Sequence, residues 1–331
     1  MQPGQRDRHA RIAGVGGYRP RRILTNEEIC RSVDSSDEWI RRRTGIRTRR
    51  FAGPDETLAM MAATAAGKAL AYAGLTAGDV DCVIAASMSR LYQAPPLAAE
   101  ITGLLGSMPA ASFDIAAACA GFCHALALAS DMVGAGTANC VVVVGTERMS
   151  DIVDPADRST SFIFGDGAGA VVVVPAARPG IGPVAWGTDP GGLHHIEQKT
   201  SWRDTRDGLA DGDWPYLRMA GPQVYRWVIS KVPQVALQAL DGAGVATADL
   251  AAFIPHQANL RICEALAKAL ELPPEVKVAT DVIDMGNTSA ASVPLAMERM
   301  LASGEVPSGS PALLAGFGSG IGYSAQVAWL P

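Results

Sequence analysis

Short, wholly apolar runs alternate along this chain with longer segments rich in alanine, leucine and methionine. Val80–Ser87, Cys140–Gly145 (Cys-Val-Val-Val-Val-Gly) and the end of Phe162–Val174 lack a polar alternation, which predicts strands buried on both faces. Thr57–Ala73, Ala98–Leu105 and Ala120–Val133 predict helices. Residues 10–18 predict a first strand that ends in a glycine turn. Thr25 caps a short helix over Asn26–Cys30, and Ser36 caps a second start at Asp37-Glu38-Trp39-Ile40. Phe113–Phe122 predicts a strand, a tight turn and a buried helix, with Cys119 at the helix N-terminus.

The pattern then repeats. Ala69–Val80 resembles Ala239–Leu250 at an offset of 170 residues (239 − 69). Cys119 heads a helix to Gly136 that leads into a Val141 strand. Asn287 heads one to Gly304 that leads into a Leu313 strand, with both offsets 168 (287 − 119, 304 − 136). One unit recurring at nearly one spacing predicts two similar α/β halves, 1–175 and 176–331, with functional residues in loops past the strand ends. Asn287 is then the expected counterpart of Cys119.

At 331 residues, 48% hydrophobic and 18% charged, the chain has the composition of a compact α/β protein, not a disordered one. A net charge of −5 argues against nucleic acid as a partner. No run approaches the roughly 20 apolar residues of a membrane helix. Met1–Arg11 is polar and basic, without a secretory signal, so the expected compartment is the cytoplasm and the six cysteines should be reduced. Cys119 and Cys123 lack a second pair, which argues against zinc. The glycines near residues 14–17 and 165–169 do not open a phosphate loop, since neither is followed by the expected helix or Lys-Ser/Thr.

A thiol at a helix N-terminus should ionise readily and act as a nucleophile, although a small buried cysteine can also merely pack. His256 lies in Ile254-Pro255-His256-Gln257-Ala258-Asn259 and Asn287 in Gly286-Asn287-Thr288-Ser289-Ala290-Ala291-Ser292. Alone, the histidine could be structural and the asparagine a cap. Duplication would bring these strand ends together, so that Cys, His and Asn converge. His124, five residues past Cys119, would stand about 140° round an ideal helix and could not face the thiol.

These motifs, with Ala117-Ala118-Cys119-Ala120-Gly121-Phe122 and Gly316-Phe317-Gly318-Ser319-Gly320, resemble those of β-ketoacyl-acyl-carrier-protein synthase III. Ser36–Ile40, Arg43–Ile46 and Phe164–Ala170 extend the likeness, which runs from about Arg11 to the C-terminus. The resemblance implies the thiolase fold, two βα halves in a five-layer α-β-α-β-α arrangement, working as a homodimer without metal or redox cofactor. Cys119 would take the acyl group of an acyl-CoA. His256 and Asn287 would bind the thioester carbonyl of malonyl-acyl-carrier protein while CO₂ leaves, and the backbone N–H groups of Cys119 and Ser319 would hold the oxyanions.

The same resemblance implies a CoA site at Trp39, Arg43, Thr44, Arg158 and Asn259, and carrier-protein docking at Arg226, Arg261 and Lys268. Most of the arginine-rich run 41–50 is expected to be a solvated face. Two departures stand out. Ala94 occupies a position that is often a large aromatic at the acyl-pocket wall, which implies propionyl, branched or longer starters. Pro222 stands where the family often has Asn and lacks the N–H, so the resemblance does not carry over the CoA contact expected there. The chemistry would start fatty acid or aromatic polyketide synthesis. An acyltransferase or thioesterase working through acyl-Cys119 without condensation is the alternative.

Overall fold

The computed structural model describes residues 8–208 and 214–331; of the basic N-terminal stretch, residues 1–7 lie outside the described residues. The first half opens with β1 (His9–Tyr18). A side ribbon of β2 (Arg22–Thr25) and β3 (Thr48–Phe51) follows, enclosing α1 (Asn26–Ile29) and α2 (Asp37–Thr44). Then come α3 (Leu58–Ala73), β4 (Cys82–Ala86), α4 (Leu97–Leu105), β5 (Ala111–Ile115), α5 (Gly121–Gly134), β6 (Val141–Glu147) and β7 (Gly167–Ala176). The strand expected at the end of Phe162–Val174 runs from Gly167. Before it, Phe164 makes an isolated bridge with Asn287 in the other half.

The second half starts with β8 (Ala185–Thr188). A small ribbon of β9 (Ile196–Gln198) and β10 (Leu217–Met219), flanking α6 (Trp202–Gly208), precedes α7 (Gly221–Ala243). It continues through β11 (Ala252–Pro255), α8 (Leu260–Ala269), β12 (Lys277–Val278), α9 (Val282–Met285), α10 (Ser292–Ala302), β13 (Pro311–Phe317) and β14 (Gly322–Trp329).

The two sheets have one topology. The first runs β5-β4-β6-β7-β1 and the second β12-β11-β13-β14-β8. In each, three parallel strands are followed by two antiparallel ones. Helix α3 covers the outer face of the first sheet, with α4 beside it, and α7 covers the second with α8. α5 and α10 fill the space between the sheets. That is the five-layer α-β-α-β-α stack of the thiolase fold. The central core joins Phe122, Leu126 and Val133 of α5 to Val293, Met297 and Met300 of α10 and to both sheets. Wholly apolar strands are required here, because each sheet has helices on both faces.

The repeat holds, but its register differs from expectation at the site. The helix ends at Gly74 and Gly244, both left-handed (φ +68° and +65°), keep the 170 offset. At the turns before the central helices, the counterparts are the two left-handed non-glycines Ala118 (φ +45°) and Ser289 (φ +48°), offset 171 (289 − 118). Each opens a 3₁₀ turn, 118–120 and 289–291, that runs into α5 or α10. Cys119 therefore corresponds to Ala290, not to Asn287. The offset of 168 returns at Gly136 and Gly304 because α10 is a turn shorter than α5.

Candidate active site

Four loops meet at the seam of the two halves. Cys119 follows β5, His256 follows β11, Asn287 follows α9 and Gly318 follows β13. Cys119, His256, Asn287 and Gly318 line one narrow cavity, closed by Met88, Phe164 and Ile321 among others. Two glycines make this approach possible. A Cβ on Gly318 would fall 2.8 Å from the Cys119 backbone nitrogen, and one on Gly145 only 2.2 Å from the Ala290 carbonyl oxygen. The Cys119 turn, the Ser319 turn and the Asn287 loop are thereby held against one another.

The expectation of an easily ionised Cys119 is overturned. Burial, with 7% of the residue exposed, pushes the thiol up to about 12. Helix α5 begins two residues later, behind a 3₁₀ turn. Burial also pulls His256 down to about 3, which leaves a neutral imidazole. Its Nδ1 lies 2.7 Å from Ser292 Oγ, which accepts the Gln257 N–H at 3.3 Å. Ser292 can donate its proton to Nδ1, and in that tautomer Nε2 carries the ring N–H. The Phe317 ring packs edge-on to the imidazole at 5.1 Å. Asn287 Oδ1 accepts the Ser289 N–H at 2.8 Å, so its NH₂ is the donor left for the cavity. The site holds a thiol, a neutral imidazole and an amide donor in a largely apolar cavity.

The family model for 3-oxoacyl-[acyl-carrier-protein] synthase III matches residues 113–190, and its C-terminal counterpart matches 240–329. The chain belongs to the 3-oxoacyl-[acyl-carrier-protein] synthase III family. It is 51% identical over 331 residues to the β-ketoacyl-[acyl-carrier-protein] synthase III of Streptomyces glaucescens, covering 100% of this chain and 99% of that one. It is 48% identical to the mycobacterial β-ketoacyl-[acyl-carrier-protein] synthase III of Mycolicibacterium paratuberculosis, covering 97% and 95%. Among solved structures, the priming β-ketosynthase of the R1128 polyketide biosynthetic pathway superposes with TM-score 0.96 at 48% identity, covering 99% of both chains. The 3-oxoacyl-[acyl-carrier-protein] synthase III of Aquifex aeolicus superposes with TM-score 0.89 at 35% identity, covering 97% and 99%.

In this synthase III family member the outer candidates are unequal. Trp39 is half-buried, with the Arg158 guanidinium 5.5 Å and that of Arg43 5.7 Å from its ring centroid. Thr44 is a correction: it is 4% exposed, donates to the Ile40 carbonyl and accepts the Ile46 N–H, so it shows a ligand no free hydroxyl. Asn259 caps α8 through Oδ1, which leaves its NH₂ to donate. Arg226, Arg261 and Lys268 are exposed on the adjoining helices α7 and α8, with Arg261 over Tyr225. Pro222 sits in the first turn of α7, where a missing N–H costs nothing. Ala94 is exposed and does not line the cavity of its own protomer.

The arginine run is not uniformly solvated. Arg49 is fully buried, bonded to Asn26 Oδ1 (2.8 Å) and the Phe162 carbonyl (2.5 Å), and desolvation lowers it to about 10. Position in β3 decides this, since Arg49 points inward beneath α1 while its neighbours do not. Sequence reasoning also passed over Ser292, Phe317, Ser289 and Glu147. The first three stand inside the quoted motifs; Glu147 carries no local signal beyond a carboxylate closing an apolar strand.

Proposed function

We propose that this protein is a β-ketoacyl-acyl-carrier-protein synthase III, condensing an acyl-CoA starter with malonyl-acyl-carrier protein. The observation that carries the reading is a neutral imidazole, His256, and the Asn287 amide beside Cys119 in one apolar cavity, with His256 Nε2–H and Asn287 Nδ2–H as the donors. Cys119 sulfur attacks the acyl-CoA carbonyl, and the tetrahedral oxyanion rests on the N–H groups of Cys119 and Ser319. CoA leaves with the electron pair of its C–S bond. The malonyl thioester carbonyl then accepts from His256 and Asn287. Its C–CO₂ bond breaks, the electron pair passes into the enolate, and the two donors stabilise the charge more as it develops. The enolate carbon attacks acyl-Cys119 and expels the thiolate. Two neutral donors serve this step better than a base, since no proton is removed from the malonyl group.

The nucleotide end of CoA fits between Trp39 and Arg158, with Arg43 near its phosphates and Asn259 donating to the pantetheine. Arg226, Arg261 and Lys268 suit an acidic carrier protein. A homodimer is favoured by β5, an edge strand next to exposed Leu104, Met108 (79%) and Phe113. Pairing β5 with its copy would hide that edge and let Ala94 shape the partner's acyl pocket, in keeping with propionyl, branched or longer starters. The pathway primed is fatty acid or aromatic polyketide synthesis, and the compartment the cytoplasm. No helix among the described residues is long and apolar enough to cross a membrane.

The test is incubation with labelled acyl-CoA, with and without malonyl-acyl-carrier protein. Label held on Cys119, then moved into a β-ketoacyl product, is the expected result. Free acid as the sole product would replace condensation with the thioesterase alternative.

A further inference from the structure

The Cys119 thiol must lose its proton to attack, and its cavity offers no good acceptor. Burial holds the thiol near 12, and His256 is a neutral donor whose Nδ1 is engaged by Ser292. Outside the cavity lining, at the end of β6, lies a buried carboxyl that the condensation chemistry does not use. Glu147 is fully buried and accepts from the N–H groups of Met88 (3.1 Å), Ser89 (3.1 Å) and Ala290 (3.3 Å), and from the hydroxyls of Ser89 (2.5 Å) and Ser87 (3.2 Å). None of these partners is a cation. The adjacent Arg148 turns instead to Asp151 and to the carbonyls of Gly53 and Glu56.

Between carboxyl and thiol stands Ser289. Its buried hydroxyl lies near enough to Cys119 on one side and Glu147 on the other to favour the ionised form of each, yet it meets neither with the geometry of a settled hydrogen bond. Its backbone is held at φ +48°, a conformation that is strained for a non-glycine residue and persists where surrounding structure imposes it. The 3₁₀ turn that carries it is packed against both the Cys119 turn and β6. A buried hydroxyl without a settled partner, poised between an acid and a base, has the arrangement of a proton carrier.

We propose that Ser289 passes the Cys119 proton to Glu147 as the thiol attacks the acyl thioester. The inference rests on the acyl-transfer half of the function proposed above. The S–H bond breaks toward Ser289 Oγ while the Ser289 O–H proton moves to the Glu147 carboxylate. The sulfur lone pair forms the new C–S bond, and CoA departs as a thiolate that takes a proton from water. When condensation later expels the Cys119 thiolate, Glu147 returns the proton by the same path, and the relay is reset. Ser289 touches the reacting thiol; Glu147 acts through it. The titratable groups facing the relay are Cys119 from its turn, Glu147 from β6, Cys123 from α5 and His256 from the loop after β11. Cys123 is itself pushed up to about 12 by burial, and His256 is neutral.

Ser289→Ala tests the relay without loss of fold, because its counterpart Ala118 already holds alanine at φ +45°. Single-turnover acylation of Cys119 by labelled acyl-CoA is followed from pH 6 to 9, beside decarboxylation of malonyl-acyl-carrier protein by the same variant. At pH 7 acylation should fall at least about tenfold and then climb about tenfold per pH unit, as expected of an unassisted thiol below its pKa. Decarboxylation should stay within about twofold. Glu147→Gln should share this profile, and Glu147→Asp should recover part of the rate. Acylation that is unchanged, that keeps the wild-type pH profile, or that falls in step with decarboxylation overturns the relay. If the wild-type protein places no label on Cys119, the acyl-transfer reading falls and the relay with it.

Discussion

Burying a neutral histidine has a thermodynamic consequence that can be measured apart from catalysis. In the unfolded chain His256 takes up a proton as pH falls through about 6.5. In the folded protein burial delays that uptake to about 3. Between these values the unfolded state binds more protons, so folding stability is complete above pH 6.5 and is lost as pH falls. At 1.36 kcal/mol per pH unit the whole window is worth about 5 kcal/mol, and the part between pH 8 and pH 5 about 2 kcal/mol. Replacing His256 with Gln keeps a neutral side chain and removes this titration. Urea unfolding of the two proteins at pH 8, 6.5 and 5 isolates the effect, because shifts from other groups, such as Asp281, cancel in the difference. The wild type should lose about 2 kcal/mol more than His256→Gln on going from pH 8 to pH 5. Equal losses would mean that His256 is hydrated or already charged in the folded protein, and the neutral-donor account of the site would fail with it.

Removing the Asn287 donor by Asn287→Ala should lower malonyl decarboxylation by about 10²–10³-fold while label still loads onto Cys119, as judged by released ¹⁴CO₂ and protein-bound label. Gly318→Ala should do the reverse: its Cβ would sit 2.8 Å from the Cys119 nitrogen and spoil the oxyanion site, cutting acylation about 100-fold or more in the same assay. Trp39→Ala should raise KM for acyl-CoA about tenfold with kcat within about twofold, and an unchanged KM would remove Trp39 from the nucleotide site. Arg49→Leu strands the buried Asn26 and Phe162 oxygens and should cost about 3 kcal/mol in urea unfolding; a loss below about 1 kcal/mol would show that water replaces the guanidinium.

What could be read before the fold was known followed from periodicity. Val141–Val144 and the long alanine-rich helix at 58–73 were legible because a sheet covered on both faces leaves no place for polar residues. The duplication was legible because Gly74 and Gly244 end equivalent helices in the same left-handed turn. The burial of Thr44 and Arg49 was not legible, for a common reason. A hydroxyl can serve a helix end as easily as a ligand, and an arginine can be drawn inward by two carbonyl-type oxygens that lie 23 and 113 residues away in sequence. Those partners are set by tertiary packing, which no local pattern encodes.

The misplaced counterpart of Cys119 shows how the two halves came to differ chemically. With Ala118 aligned on Ser289, the nucleophile faces Ala290 across the pseudo-symmetry, and the place of Asn287 falls on Ala116 in the first half. The thiol and the amide are therefore not one position used twice. Each half puts its polar group at a different point on the same strained turn, Cys119 one residue after the left-handed position and Asn287 two residues before it. The left-handed residue lets each turn double back toward the seam. The different placement lets a nucleophile and a donor address neighbouring atoms of one substrate, which two groups at strictly equivalent positions could not do without competing for the same space.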